Sequence, residues 1–156
     1  SLCGDDGDDF LDGDIAGNSF ADTMSGGDGN DSFVFDLADA SVSGGAGIDT
    51  LQINAPVANF TAIGDSVYTG IESIDMRDDN PSVNFTTTLT LTVSDVLALS
   101  DTTDELWVRG DFADDVVLQG GVWDVGVVTN VGGVIYHDYT SGGATVHVAE
   151  VGDVII

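Results

Sequence analysis

The sequence predicts an all-β protein with at most one short helix. We expect a short parallel β-roll over residues 1–52, followed by a β-rich C-terminal domain over residues 53–156 that is either sandwich-like or an extended β-roll. Two observations support this fold class. A glycine–aspartate motif recurs at a fixed interval in the first part, and short runs rich in Val, Ile, Thr and aromatic residues fill the second. Such runs, separated by turn residues, are typical of all-β domains.

The glycine–aspartate motif occurs twice in complete form. GGDGNDSFV at residues 26–34 and GGAGIDTLQ at residues 44–52 both fit G-G-x-G-x-D-x-U-x, where U is a large apolar residue. Equivalent positions are 18 residues apart, which is two nine-residue units. A degenerate copy covers residues 4–12, and a weaker unit covers residues 17–25. Because glycine accepts the positive φ of a sharp turn, the interval predicts turns that stack one coil apart in a parallel roll.

Stacked turns of this kind would aim backbone carbonyls and carboxylates into the space between coils. A cage of about six to eight oxygen ligands suits Ca²⁺, whereas Mg²⁺ prefers stricter octahedral geometry and retained water. We therefore expect a calcium-binding roll with about two or three ions, on one side only, since FDLADA at residues 35–40 replaces the turn expected on the opposite side. The candidate ligands are Gly4, Asp6, Asp9, Gly26, Asp28, Asn30, Asp31, Gly44, Ala46, Ile48 and Asp49, with Asp22 as a weaker candidate.

The clearest strand and helix signals of the second part are adjacent. Thr alternates with Leu or Val over residues 88–93, which predicts a strand with one buried and one exposed face. The segment SDVLALS that follows this strand predicts the single helix, of at most two turns. Ser94 would be the N-cap of this helix, and Asp95 would lie at the positive end of its dipole.

The charge balance restricts the partners of the chain. It has 28 acidic residues, two arginines and no lysine, for a net charge of −26. Nucleic acids and anionic membrane surfaces are held by basic patches, so neither is expected as a partner, whereas cations are. No run of about 20 apolar residues is present, so no stable membrane insertion is expected. The single cysteine excludes an internal disulfide.

Through GGDGNDSFV and GGAGIDTLQ, the chain resembles the RTX family of secreted proteins with hemolysin-type calcium-binding repeats. The second part is similar to the C-terminal region that follows such repeats in large bacterial adhesins and other type I secretion substrates. The matching segments are IESIDM, LTLTVSDVLALSDTTDELWVRGD, VIYHDYTSGGATVHV and the apolar end VGDVII.

The resemblance implies a non-catalytic module of a secreted or cell-surface protein, attached to a larger upstream chain. Such proteins leave the cell unfolded through the type I secretion machinery, without an N-terminal signal peptide, and fold outside when calcium binds. The resemblance also implies that the end of the chain carries the secretion signal: Glu150, Val151, Gly152, Asp153, Val154, Ile155 and Ile156.

No catalytic site is expected. The two histidines lack an H-E-x-x-H or H-x-E context, and no G-x-S-x-G elbow surrounds a serine. Acidic residues of the second part leave one metal alternative open. Asp111, Asp114 and Asp115 could hold a further calcium ion, although ordinary turn chemistry is the favoured interpretation.

Aromatic residues of the second part leave a binding alternative open. Trp107, Trp123, Tyr136 and Tyr139 could form a sugar-binding platform, because aromatic faces stack on apolar ligand faces, although packing in the core is the favoured interpretation. The alternatives to a secretion and folding module are therefore a glycan- or surface-binding adhesion module and the non-catalytic tail of a secreted hydrolase.

Overall fold

The computed structural model describes residues 1–13, 20–77, 86–100 and 103–156. Its strands are β1 (Leu2–Asp6), β2 (Phe10–Leu11), β3 (Thr23–Asp28), β4 (Ser32–Val34), β5 (Ser41–Ala46), β6 (Thr50–Gln52), β7 (Val57–Asn59), β8 (Tyr68–Thr69), β9 (Ser73–Asp75), β10 (Thr88–Thr92), β11 (Glu105–Arg109), β12 (Asp115–Gln119), β13 (Asp124–Val131), β14 (Val134–Ser141), β15 (Ala144–Ala149) and β16 (Asp153–Ile155). One α-helix, α1 (Val93–Leu99), follows β10, and a 3₁₀ turn (Phe60–Ala62) follows β7. The prediction of an all-β protein with one short α-helix is confirmed.

The strands form three sheets. The long sheet has the order β13-β14-β15-β11-β9-β6-β4-β2, the first lateral sheet β1-β3-β5-β8, and the second lateral sheet β16-β12-β10-β7. Pairing is antiparallel in the hairpins β13–β14 and β14–β15. The other ladders described are parallel. Parallel neighbours need crossover connections, and here successive coils supply them.

The coils change shape along the chain. From β1 to β6 the chain alternates between the first lateral sheet and the long sheet. After β6 it also visits the second lateral sheet, beginning with β7. The helix α1 comes between β10 and β11, where a further strand of the first lateral sheet would otherwise lie, and it packs against β8. The long sheet continues across residue 52, because β6 pairs with β9 and β9 with β11.

The core contains an apolar ladder on the inner face of the long sheet. One residue from each of six successive parallel strands contributes, and each is at most 3% exposed. The ladder consists of Leu11, Phe33, Leu51, Ile74, Val108 and Val148. Burying an apolar side chain of this size stabilises a fold by about 1.5–3 kcal/mol. Because successive side chains of a strand point to opposite faces, the residues on either side of this ladder lie on the outer face.

The strand β10 confirms the alternation predicted for it. Leu89 and Leu91 are fully buried, and the three threonines between and beside them are partly exposed. The helix that follows is present, but the predicted N-cap, Ser94, is wrong. Thr92 is the N-cap, since its hydroxyl accepts from the Asp95 amide at 3.2 Å and the Asp95 carboxylate accepts from the Thr92 amide at 2.7 Å. This capping box requires a three-residue spacing, which Thr92 has and Ser94 does not.

Candidate metal site

Four acidic side chains form a ladder across successive coils, called here the acid ladder: Asp9, Asp31, Asp49 and Glu72. The Asp9 amide donates to Asp31 Oδ1 at 2.9 Å, and the Asp31 amide donates to Asp49 Oδ1 at 2.8 Å. The Asp49 amide then donates to Glu72 Oε2 at 3.0 Å. The carboxylates of Asp31, Asp49 and Glu72 therefore each fix the turn of the preceding coil through one oxygen.

The second oxygen of three of these carboxylates has no hydrogen-bond partner. Oδ2 of Asp9, Asp31 and Asp49 is buried and unpaired, and the last two side chains are only 1% and 0% exposed. A buried carboxylate oxygen without a partner is costly, since the group has lost its hydration and gained nothing in return. These three oxygens therefore lack the partners that buried polar atoms normally have.

A glycine carbonyl lies beside each unpaired oxygen. A Cβ added to Gly4 would lie 2.6 Å from Asp9 Oδ2 and 2.7 Å from the carbonyl oxygen of Gly26. The same convergence recurs one coil on, with Asp31 Oδ2 and the Gly44 oxygen beside Gly26, and again with Asp49 Oδ2 and the Gly70 oxygen beside Gly44. Only glycine leaves this space open, and the following residues Gly27 and Gly45 have φ of 120° and 119°, which the turn requires.

The chemistry of this donor set fits a hard cation. Carboxylate and carbonyl oxygens are the ligands that Ca²⁺ takes in flexible geometry. Among the described residues, no group of three or more His, Cys, Asp or Glu side chains converges as a metal cluster. A site between these coils does not need one, because peptide carbonyls supply further oxygen ligands.

Burial also changes the proton affinity of Asp49, a member of the acid ladder. Burial raises the pKa of Asp49, and the neighbouring negative charge of Asp31 raises it further, against the opposing effect of its backbone hydrogen bond. The charged form is therefore the disfavoured one in the absence of a counter-charge. A proton or a cation relieves this cost.

The remaining predicted ligands lie around the same turns. Asp6, Asp28 and Ala46 are register partners at the ends of β1, β3 and β5. Asn30 Oδ1 accepts from the Ile48 amide at 2.8 Å, and Asp8 Oδ1 accepts from the Asn30 amide at 2.7 Å. The side chains of Asp8 and Asn30 thus link neighbouring turns by hydrogen bonds on their exposed side.

Asp22 is not part of the acid ladder. It precedes β3, and its carboxylate lies beside Gly13, with Oδ2 2.9 Å from where a Cβ of that glycine would be. The first residues of the repeat unit assigned to residues 17–25 lie outside the described residues.

Sequence reasoning missed Glu72 and Asp8 as members of these ladders. Glu72 is 23 residues after Asp49, rather than 18, so the interval did not reveal it. A local signal was present. Asp31-Ser32-Phe33, Asp49-Thr50-Leu51 and Glu72-Ser73-Ile74 share the pattern acid, hydroxyl, large apolar residue, and the structure places the three tripeptides in register.

The segment between β4 and β5 has a different arrangement. The Tyr68 hydroxyl donates to the backbone oxygen of Asp36 at 2.6 Å and lies 3.1 Å from Asp39 Oδ2. Burial raises the pKa of Asp39 to about 6, and the charge of Asp36 adds to this effect. Burial also raises the pKa of Tyr68, so its hydroxyl stays protonated and remains a donor.

The acids of the loop between β11 and β12 serve as turn and ladder acceptors. Asp114 is fully buried, and its two oxygens accept from the Thr87 and Asp111 amides, each at 2.8 Å. Asp111 Oδ1 accepts from the Ala113 amide, and Asp115 Oδ1 accepts from the Asp153 amide. These contacts support the turn interpretation. Calcium at this loop stays a prediction.

The segment predicted as the secretion signal is part of a sheet. Glu150 adopts a φ of 59° and pairs with Arg109, after which Gly152 donates to the Asp114 backbone oxygen at 2.6 Å. Strand β16 then pairs with β12, with Val116 opposite Val154. In the folded protein the backbone of this segment is therefore hydrogen-bonded to the loop before β12 and to β12 itself.

The four aromatic residues considered as a sugar platform do not share one surface. Trp123 is buried at 5% exposure, and Tyr139 packs against the core. Trp107 and Tyr136 are both partly exposed, and their rings contact edge to face at 5.0 Å.

Comparisons with protein-family models, with curated proteins and with solved structures give no match to this chain. Within the part of the chain that the structure describes, no helix has the length and apolar character needed to cross a membrane.

Proposed function

We propose that this chain is a non-catalytic calcium-binding module of a secreted or cell-surface protein, whose folding outside the cell depends on calcium bound between the coils of a parallel β-roll. The observation that carries the proposal is the row of buried, unpaired Oδ2 atoms of Asp9, Asp31 and Asp49, each beside a glycine carbonyl. About two or three ions would give each of these oxygens a partner.

The residues have distinct roles in this proposal. Asp9, Asp31 and Asp49 supply charged oxygens to the cation. Asp31 and Asp49 also fix the adjacent turns through their other oxygens. Glycine carbonyls supply neutral oxygens, and Glu72 ends the acid ladder by holding the Asp49 amide. Bound calcium supplies the positive charge that offsets the mutual repulsion of stacked carboxylates. Without it, repulsion and desolvation both oppose folding.

This coupling suits export in an unfolded state. Calcium sites of extracellular type bind at about 10⁻⁴–10⁻³ M, so they are empty in cytosol and filled outside the cell. A chain with a net charge of −26 resists compaction until counter-charge arrives. The cation concentration would then decide where the module folds, and a larger chain attached upstream would emerge after it.

The proposed secretion signal, residues 150–156, fits the same order of events. Because its backbone is engaged by Asp114 and by strand β12 in the folded protein, the type I machinery would have to read this segment before the module folds. Low calcium inside the cell keeps the segment available, and calcium outside the cell then allows β16 to complete the second lateral sheet.

Far-UV circular dichroism of the chelated protein, titrated with Ca²⁺ and separately with Mg²⁺, tests the proposal. We expect a cooperative gain of β signal at about 0.1–1 mM calcium and little gain with magnesium. The double variant Asp31→Ala, Asp49→Ala should need at least about tenfold more calcium, because it lacks two charged ligands. Asp65→Ala, which removes an exposed loop carboxylate, is the matched control. A chelated protein that is already fully folded and indifferent to calcium would refute the proposal.

A further inference from the structure

The outer face of the long sheet carries a row of short hydroxyl side chains between two aromatic residues. Ser32, Thr50 and Ser73, called here the hydroxyl row, are direct register partners on β4, β6 and β9. Phe10 is the partner of Ser32 at one end, and Trp107 is the partner of Ser73 at the other. Four strand spacings of about 4.8 Å separate Phe10 from Trp107, so the two aromatic residues are about 19 Å apart.

Trp107 has one covered ring face and one open ring face. The His147 ring stacks on it from the β15 side, with centroids 3.9 Å apart and planes at 19°. His147 is itself held in place, because its Nδ1 lies 2.7 Å from Asp138 Oδ1. Tyr136 meets the indole edge to face at 5.0 Å. On the β9 side the neighbour is Ser73, which is too short to cover an indole. Because His147 covers the indole from the β15 side, the other face, called here the open face, is the one nearer the hydroxyl row.

Part of the charge beside this row is paired. The chain has two basic residues, Arg77 and Arg109, and both lie at this end of the long sheet. Arg77 pairs with Asp75, two residues beyond Ser73, and Arg109, two residues beyond Trp107, pairs with Glu150. Residues two apart on a strand share a face. Glu105, two residues before Trp107, lies on the same face, with Oε2 3.9 Å from His147 Nε2. The row thus offers hydroxyls and an aromatic face beside paired and acidic side chains, which suits a neutral polyhydroxylated ligand better than an anion.

We propose that the hydroxyl row binds a neutral linear oligosaccharide. One pyranose ring stacks its C–H face on the open face of Trp107, above Ser73. The following sugar units lie over Thr50 and Ser32 toward Phe10, exchanging hydrogen bonds with the hydroxyls below. His147 and Asp138 act as positioning residues, since they fix the indole in an upright orientation before the ligand arrives. The site is distinct from the acid ladder and does not depend on the calcium proposal.

Titration of the protein in millimolar calcium with cellohexaose, mannohexaose, maltohexaose and chitohexaose tests this inference, using calorimetry and tryptophan fluorescence. Saturable binding of at least one of these neutral hexasaccharides is expected, with no binding of the anionic hexagalacturonate. Trp107→Ala should weaken binding by about 30-fold or more, as truncation of an aromatic anchor does.

A second variant tests the same site without removing the indole, in case Trp107→Ala disturbs the fold. Ser73→Gln leaves the indole in place and fills the space in front of its open face, so it should abolish binding as well. Ser66→Gln makes the same change at an exposed loop position and should bind like the parent protein. Failure of all four neutral sugars, binding of hexagalacturonate alone, or unchanged affinity in both Trp107→Ala and Ser73→Gln would overturn the proposal.

Discussion

The amide of Asp49 donates a 3.0 Å hydrogen bond to the carboxylate of Glu72, so a glutamate takes the acceptor role that Asp31 and Asp49 have in the two preceding coils. Glutamate is one methylene longer, and Asp49 is fully buried. Glu72 is the last member of the acid ladder. It lies where the coils begin to include the second lateral sheet.

Replacing Glu72 separates its hydrogen-bonding role from its charge. Glu72→Ala leaves the buried Asp49 amide without its acceptor and should lower the free energy of unfolding by about 1–3 kcal/mol. Glu72→Gln retains an acceptor oxygen and should lose less than half of that. Urea unfolding in saturating calcium measures both variants. Equal losses in the two variants would show that charge, and not the hydrogen bond, is what this position contributes.

Gly44 should not tolerate a side chain. A methyl group there would collide with the Gly70 carbonyl oxygen and with Asp49 Oδ2, the two oxygens proposed to face a cation. Gly44→Ala should therefore raise the calcium concentration at the folding midpoint and lower stability by several kcal/mol, since overpacking costs about 1–3 kcal/mol before any metal is lost.

Gly64→Ala is the matched control for Gly44→Ala. The nearest atom to a Cβ at Gly64 is a Val67 methyl carbon at 3.9 Å, so this substitution should be nearly neutral. Calcium-dependent circular dichroism of the two variants measures the difference. Equal behaviour of both would argue against a packed cage beside Gly44.

Repeats separated by a constant interval made part of the site predictable. The 18-residue offset between the complete repeats is also the register of β3 and β5, with Gly27 beside Gly45. The interval stops being informative after Asp49, because the chain inserts β7 and the 3₁₀ turn before it returns to the first lateral sheet at β8. These insertions lengthen the coil to 23 residues, so an 18-residue interval does not predict Glu72.

Local chemistry explains the error at the helix start. Thr92 and Ser94 are both hydroxyl residues that can cap a helix. The choice depends on Asp95, whose carboxylate returns to the Thr92 amide, and on the strand that holds Thr92 in an extended conformation with ψ of 172°. Sequence alone gives both residues similar capping propensity. The geometry of β10 selects between them.

The raised pKa of Asp39 predicts a specific pH dependence. The pKa of its carboxyl rises from 3.8 to about 6 on folding, so the folded state binds this proton more tightly. Stability from this group is fully present below about pH 4 and is lost as the pH rises to about 6 and beyond. The loss at pH 7 is at most about 3 kcal/mol.

Asp39→Asn tests this dependence. The amide retains an oxygen for the Tyr68 hydroxyl and cannot ionise, so the variant should be about 1–3 kcal/mol more stable than the parent at pH 7 and nearly equal to it near pH 4. Urea unfolding at both pH values, in saturating calcium, supplies the comparison. If the free energies of unfolding of the two proteins differ by the same amount at both pH values, Asp39 does not change its protonation between about pH 4 and pH 7.

The last strand allows export to be separated from stability. Val116 on β12 and Val154 on β16 are register partners, so Val116→Ala weakens the docking of β16 without changing residues 150–156. It should lower the free energy of unfolding by about 2 kcal/mol, since a buried apolar group is lost. If the machinery reads the segment before folding, Val116→Ala should leave the exported amount unchanged in cells that carry a type I system. Scrambling residues 150–156 should abolish export while the full-length chain is still synthesised. Export that falls in both variants would instead mean that the folded sheet, and not the unfolded segment, is what the machinery recognises.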